Sequence, residues 1–357
     1  GEMMRQVIAH EIGHALGLPH NMKASSAYPV DSLRSGTFTQ KYGIATTIMD
    51  YARYNYVAQP DDKNIRFVRQ LGPYDDYSIE WGYRYFGKSP EEEKEILKNF
   101  VDEKSLNPMY MFGGYGNDPN SQTENIGDDP VKASLYGISN LKIVAKNLKE
   151  WTIEPKENYN ELNELYGELI GVYRRYVYHV LNLVGGIYDT PHNENQKGVV
   201  RYVNVDIDKQ LQALKFMEKN LWNTQNWLMD KSLISQIKAE GVLGSLQGLQ
   251  LSAFNRILSV SKLNRMLSAR ESLEGDPLSV EELIDNLFKT IVKNPENPDL
   301  SEQRLQINFV ERIDELMGEE KLNPSIKSSL LDTKYKIHKL AKRRGGSHYK
   351  YLKSISE

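Results

Sequence analysis

The sequence predicts a mainly α-helical protein. Beyond Gly72, long stretches with apolar residues at helical spacing alternate with short clusters rich in Pro, Gly and Asn. The first sixteen residues contain no proline and also place apolar residues at helical spacing. With 39% hydrophobic and 26% charged residues, the composition is that of a globular protein rather than a disordered one. The 357 residues provide material for roughly two domains.

The first predicted element is a buried helix over residues 2–16. Val7, Ile8 and Ile12 recur at helical spacing within it. Gly17 follows the last helical position, and Pro19 disfavours a helical conformation at the residue before it. The chain is therefore expected to turn sharply after residue 16.

The next predicted region is irregular. Residues 21–73 are rich in Ser, Thr, Gly, Pro, Asn and Tyr, which indicates loops with at most short strands. A possible β-hairpin is predicted near residues 186–205, where aromatic and β-branched residues flank turn-forming ones. Helices are predicted elsewhere, over residues 74–86, 90–104, 131–151, 159–184, 207–221, 243–268, 280–292, 301–317 and 324–344.

Composition also limits the partners. The chain has no cysteine, so disulfides and thiolate-ligated metals are excluded, and a metal would be held by His, carboxylates or water. A net charge of −3 argues against nucleic acid as a partner, and the basic run 339–344 fits the solvated end of a terminal helix better. No apolar run approaches the roughly 20 residues of a transmembrane segment.

One motif carries chemistry. The run from His10 to His20, HEIGHALGLPH, fits HExxHxxGxxH at every fixed position. His10 and His14 lie four residues apart, so a helix directs both imidazoles at one ion, and Gly17 lets the chain return His20 as a third ligand. Three protein ligands leave an open position, which is typical of a catalytic Zn²⁺. Glu11 can serve as general base toward a water that the metal activates.

A second motif, Thr47–Tyr51, resembles the Met-turn of the metzincins. By that resemblance, Met49 forms an apolar floor beneath the histidines without binding metal. Tyr51 matches a tyrosine that astacin-like and serralysin-like members place close to zinc, where its hydroxyl ligates the metal or stabilises the oxyanion. Asp50 is expected to bond to local backbone or to a nearby base instead.

The chain thus resembles metzincin-clan zinc metallopeptidases, and in particular the bacterial zinc-dependent metalloproteases common in Bacteroidetes. The likeness rests on HEIGHALGLPHN, on SSAYPVDSLR at 25–34 and on TIMDYARYNYVAQP at 47–60. It implies that residues 1–88 are the C-terminal half of a metzincin catalytic domain, comprising the active-site helix, the Met-turn and irregular loops. Residues 89–357 would then form a helical C-terminal domain.

The resemblance further implies an upstream part of the same protein, whose sheet aligns the substrate along its edge strand. On this basis we expect the present chain alone to be a weak or inactive peptidase. We also expect Met3, Val7 and Ile8 to form an exposed apolar strip. Related enzymes are exported, so an extracytoplasmic location (periplasm, outer membrane or secreted) is the expectation.

The function predicted from these features is zinc-dependent hydrolysis of peptide bonds in a peptide or protein substrate, by an endopeptidase. Two alternatives stay open: a truncated or inactive metzincin that acts as a binding or scaffold module through its helices, and a zinc hydrolase that does not act on peptides. The intact Glu11 argues against inactivation by mutation.

Overall fold

The computed structural model describes residues 1–114, 116, 118–152 and 158–357. These residues are mainly helical, as the sequence predicts. The helices are α1 (Glu2–Ala15), α2 (Gly36–Tyr42), α3 (Pro73–Tyr83), α4 (Pro90–Lys104), α5 (Pro130–Thr152), α6 (Asn160–Leu181), α7 (Ile207–Met217), α8 (Lys231–Ile237), α9 (Leu243–Ile257), α10 (Val260–Ser272), α11 (Val280–Leu287), α12 (Leu300–Gly318), α13 (Pro324–Arg343) and α14 (Ser347–Ile355).

The predicted hairpin is confirmed. Strand β1 (Ile187–Asp189) pairs with strand β2 (Tyr202–Asn204) in a two-stranded sheet. Just beyond the strands, the backbone N–H of Thr190 donates to the carbonyl of Arg201 at 2.8 Å. Within the described part of the chain no other sheet is formed, so the predicted fold class of a mainly α protein with one hairpin is correct.

Several boundaries differ from the prediction. The loop region 21–73 contains no strand, but it does contain the short helix α2. The side chain of Ser35 caps this helix by accepting a hydrogen bond from Phe38 N. The predicted helix 243–268 is two helices, since the side chain of Ser259 caps the N-terminus of α10. Helices α8 and α14 were not predicted; they are only 7 and 9 residues long, too short for a clear periodic signal.

Helix α1 is present, but the prediction that it is buried is wrong for its apolar residues. Its buried residues are Gln6, His10 and Gly13. The exposed side carries six large apolar residues that are 41–66% exposed: Met3, Met4, Val7, Ile8, Ile12 and Leu16. The expected exposed apolar strip is therefore confirmed.

Packing divides the chain into two compact units. The first comprises residues 1–140 and 186–203, and the second residues 141–185 and 204–357. Packing does not test where the catalytic portion ends, so the predicted division after residue 88 stays a prediction. In the first unit the fully buried side chains include Leu33, Ile48 and Met49.

The second unit has an aromatic and aliphatic core built by its own helices. Phe254 of α9 and Phe309 of α12 pack edge to face, with ring centroids 5.4 Å apart. Tyr173 of α6 is also fully buried. None of the described helices of the chain combines the length and apolarity that a membrane span requires.

Candidate metal centre

The end of α1 brings the third histidine back toward the first two. Gly17 has φ +83°, a left-handed conformation that favours glycine. Leu18 N donates to Gly13 O at 3.0 Å and Gly17 N donates to His14 O at 2.9 Å, which is the Schellman pattern of helix termination. The stop signal at Gly17 is thereby confirmed.

The three histidines converge on one point. His20 Nε2 lies 3.2 Å from His10 Nε2 and 2.9 Å from His14 Nε2. Three nitrogens that bind one Zn²⁺ tetrahedrally at about 2.0–2.1 Å would lie about 3.3 Å apart. The spacing therefore fits a single ion. Among the residues that the structure describes, no other group of three or more His, Cys, Asp or Glu is placed to hold a metal.

Hydrogen bonds fix which nitrogens are available. His10 Nδ1 lies 2.8 Å from the carbonyl oxygen of Ile48, and His14 Nδ1 lies 2.9 Å from that of Leu18. A carbonyl only accepts, so each Nδ1 carries the proton and each Nε2 presents its lone pair to the centre. Burial lowers the pKa of His10 and of His20, which keeps both imidazoles neutral.

The Met-turn, residues 47–51, packs directly against α1. Met49 is fully buried, and its Sδ lies where a side chain at Gly13 would be, 2.3 Å from the position of a Cβ there. Because Gly13 stands between His10 and His14 on the helix, Met49 supports the turn that carries both.

Asp75, at the start of α3, holds the Met-turn in place. Its carboxylate accepts from Thr47 Oγ1 at 2.5 Å, from Ile48 N at 2.9 Å and from Gly72 N at 2.9 Å. Burial raises the pKa of Asp75, and these hydrogen bonds lower it. The site prediction did not include Asp75, although it stands at the third position of a helix that begins with Gly72-Pro73, where a capping carboxylate is favoured.

Asp50, in the Met-turn, is wholly buried. Its carboxylate accepts from Ser25 N at 2.7 Å and from Ala52 N at 2.8 Å, so the expectation of local backbone bonding is confirmed. Burial raises the pKa of Asp50 to about 6.

The other two predicted functional side chains also lie at the cluster. The ring centroid of Tyr51 is 4.3 Å from that of His20 and 5.7 Å from that of His10. Glu11 is exposed, and its charge raises the pKa of His10 and His20 in partial opposition to burial. The structure thus brings every predicted site residue to one place.

A cavity of about 370 Å³ is lined in part by a segment that bonds to the residue after the third histidine. Asn21, which follows His20, donates from Nδ2 to Met111 O at 2.9 Å and accepts at Oδ1 from Gly113 N at 3.0 Å. The segment 111–113 therefore lies beside the metal centre, and Met111 lines the cavity. The remaining walls include four aromatic rings and two amides, from Tyr74, Tyr77, Tyr110, Phe112, Asn193 and Gln196.

A buried ion pair ties this cavity's walls together. Lys23 Nζ lies 2.7 Å from Asp118 Oδ2, and both side chains are less than a tenth exposed. Asp118 Oδ2 also accepts from the backbone N–H of Asp189 in β1 at 3.3 Å. The loop after His20 and the hairpin are therefore held in one arrangement. The sequence offered no signal for this pair, which is separated by 95 residues.

An HExxH helix, a third histidine returned by a glycine turn and a methionine floor together define a metzincin-type metallopeptidase centre. Comparison with known families agrees with that class: the sequence model of the Met-zincin family matches residues 1–299. The chain belongs to this family, and family membership indicates a zinc metallopeptidase acting on protein substrates. No curated protein and no solved structure matches the chain.

Proposed function

We propose that this protein is a zinc-dependent endopeptidase in which His10, His14 and His20 hold the metal. The observation that supports this most directly is the convergence of three Nε2 atoms, with the Nδ1 atoms of His10 and His14 engaged with backbone carbonyls. Three imidazoles in this arrangement match the ligand set of a catalytic zinc.

When bound, Zn²⁺ would polarise the scissile carbonyl and activate a water for attack. Glu11, exposed on α1 directly after His10, accepts the proton of that water and delivers it to the leaving amine. The hydroxyl of Tyr51 donates a hydrogen bond to the oxygen on which negative charge develops. Met49 packs against Gly13 and so holds the turn of α1 that carries His10 and His14 in place.

The cavity beside residues 111–113 is proposed to receive one side chain of the substrate. Its aromatic walls favour a large apolar side chain. Cleavage would then be selected by the residue that the cavity accepts.

The proposed extracytoplasmic location rests on the family resemblance alone and is tested by fractionation of the native cells.

The deciding experiment combines metal analysis with cleavage of a peptide library by the wild type and by Glu11→Gln. The proposal expects about one zinc per chain in both proteins, and cleavage by the wild type that is lost by several orders of magnitude in the variant. Zinc with no cleavage by the wild type would favour a binding module. Near-normal turnover in Glu11→Gln would show that another group activates the water.

A further inference from the structure

One buried cation near the histidine cluster has no part in the chemistry described so far. Arg69 is 7% exposed, and its Nη1 donates to the carbonyl of Ile48 at 2.7 Å. The same carbonyl accepts the Nδ1 proton of His10 at 2.8 Å. The approach of Arg69 Nη1 to His10 Nδ1, at 3.5 Å, joins two donors and is a contact rather than a hydrogen bond.

Charge compensation alone does not explain where this arginine is placed. Burying a guanidinium is costly unless all its donors are paired, and Nε of Arg69 is buried without a hydrogen-bond partner among the described residues. Carboxylates and a phenol of the Met-turn region, on Asp50, Tyr51 and Asp75, interact with its charge. Compensation of these buried charges does not by itself require Nη1 to meet the carbonyl that also accepts from His10, so the placement of Arg69 indicates a further role.

The bonds around Ile48 indicate that role. A carbonyl oxygen has two lone pairs, and Ile48 O uses both, one for Arg69 and one for His10. On its other side the same residue's N–H donates to Asp75 at 2.9 Å. Both polar groups of Ile48 are therefore held, and the Met-turn cannot rotate without breaking one of these bonds.

Arg69 is also fixed to the helix that carries the ligand. Its backbone N–H donates to Oε1 of Gln6 at 2.8 Å, and Gln6 lies one turn before His10 on the buried face of α1. Through its two ends, Arg69 therefore connects α1 with the Met-turn at the level of the first metal ligand.

We propose that Arg69 is a positioning residue of the metal centre, which fixes the Ile48 carbonyl and through it the orientation of the His10 imidazole. This inference rests on the proposed zinc function. It assigns to Arg69 a task that the HExxHxxGxxH motif and the Met-turn do not describe. Mutation of a direct outer partner of a metal-ligating histidine costs roughly 10- to 100-fold in metal affinity or activity, and Arg69 acts one bond further out, through the Ile48 carbonyl.

The test compares Arg69→Met, Arg69→Lys and the matched control Arg66→Met in the full chain. Arg66 belongs to the same segment and also contacts α1, through an ion pair of Nη2 with Glu2 at 2.9 Å, but it touches neither a ligand nor the Met-turn. Zinc affinity is measured by competition with a chelator, and the ligand geometry by the visible absorption of the Co²⁺ form. Circular dichroism and thermal melting of the metal-free proteins report folding.

We expect Arg69→Met to bind zinc roughly tenfold more weakly, the lower end of the range for a direct partner, with an altered Co²⁺ spectrum. Arg69→Lys, which keeps a charged donor, should recover part of that loss, and Arg66→Met should bind like the wild type. If Arg69→Met does not fold, Arg69→Lys decides alone. A reduced zinc affinity or an altered Co²⁺ spectrum in Arg69→Lys would support the positioning role. Wild-type zinc affinity and a wild-type Co²⁺ spectrum, with a loss only in melting temperature, would overturn it and show that Arg69 serves stability alone.

The outcomes separate the two hypotheses. Wild-type protein that binds zinc, combined with unchanged affinity and Co²⁺ spectrum in a folded Arg69→Met, overturns the positioning role and leaves the proposed function intact. Wild-type protein that binds neither zinc nor Co²⁺ overturns the proposed function and the role of Arg69 with it. An equal loss in Arg66→Met would show a general effect of the segment and would also overturn the inference.

Discussion

Gly13 and Met49 are packed so closely that a side chain on the first would occupy the place of the second. A Cβ on Gly13 would lie 2.3 Å from Met49 Sδ and 3.3 Å from its Cε. Met49 is fully buried, so its thioether can move aside only by displacing close-packed neighbours. The variable position between the two helical histidines of HExxH is thus constrained here by the Met-turn.

We therefore expect Gly13→Ala to lower the free energy of unfolding by about 1–3 kcal/mol through overpacking, although alanine favours the helix more than glycine does. Chemical denaturation of the metal-free protein measures this. Gly82→Ala in α3 is the control, because nothing lies within 4 Å of its Cβ position, and it should be neutral or slightly stabilising. In a Met49→Ala background the cost of Gly13→Ala should largely vanish; a cost that persists would mean that the clash is not with Met49.

The contrast between Gly13 and Gly17 shows what the sequence could and could not predict. Gly17 stands after a helix and before a proline, so a left-handed turn that returns His20 follows from local rules. The need for Gly13 depends on Met49, which is 36 residues away, and no local rule predicts that contact. Arg69 and Asp75 were missed for the same reason, since their partners at Ile48 and Thr47 lie in another segment of the chain.

The predicted helices also show which features local sequence rules can predict and which they miss. The long amphipathic helices α5, α6, α12 and α13 were predicted within a few residues, because their burial is periodic along the sequence. The break between α9 and α10 depends on a single cap at Ser259, and the prediction overlooked it.

The assistance proposed for Tyr51 predicts a specific kinetic effect. Tyr51→Phe removes the hydroxyl and keeps the ring that packs 4.3 Å from the His20 ring. We expect kcat to fall roughly 10²-fold with little change in KM, since the lost hydrogen bond forms only as charge develops. The control is Tyr54→Phe in the same loop, where the ring is 40% exposed and wild-type kinetics are expected. An equal loss of kcat in both variants would argue against a role for the Tyr51 hydroxyl.

The cavity proposed for a substrate side chain can be tested by filling it. Val101 of α4 lines the cavity, and Val101→Phe would occupy part of its 370 Å³. We expect kcat/KM to fall at least about tenfold for peptides with a large apolar side chain at the selected position, and to change little for peptides with a small one. Glu103→Phe places the same ring on the exposed side of α4 and should leave the preference unchanged. If Val101→Phe cleaves a peptide library with the wild-type preference, the selecting pocket lies elsewhere.

The raised pKa of the buried Asp50 predicts that the stability of the metal-free protein depends on pH. Its pKa is about 6 in the folded chain and 3.8 for an exposed aspartate, so the folded state retains a proton that the unfolded state releases. The contribution of Asp50 to the free energy of unfolding is therefore fully present below about pH 4 and is lost as the pH rises to about 6, with a slope of at most ~1.4 kcal/mol per pH unit.

The variant Asp50→Asn cannot titrate at this position. Chemical denaturation at pH values from 4 to 7, in the presence of a chelator to remove histidine-bound metal, should show the stability difference between wild type and variant shrinking across this window and constant above it. A difference that is independent of pH would mean that the buried carboxyl is ionised throughout, with the charge of Arg69 outweighing the effect of burial.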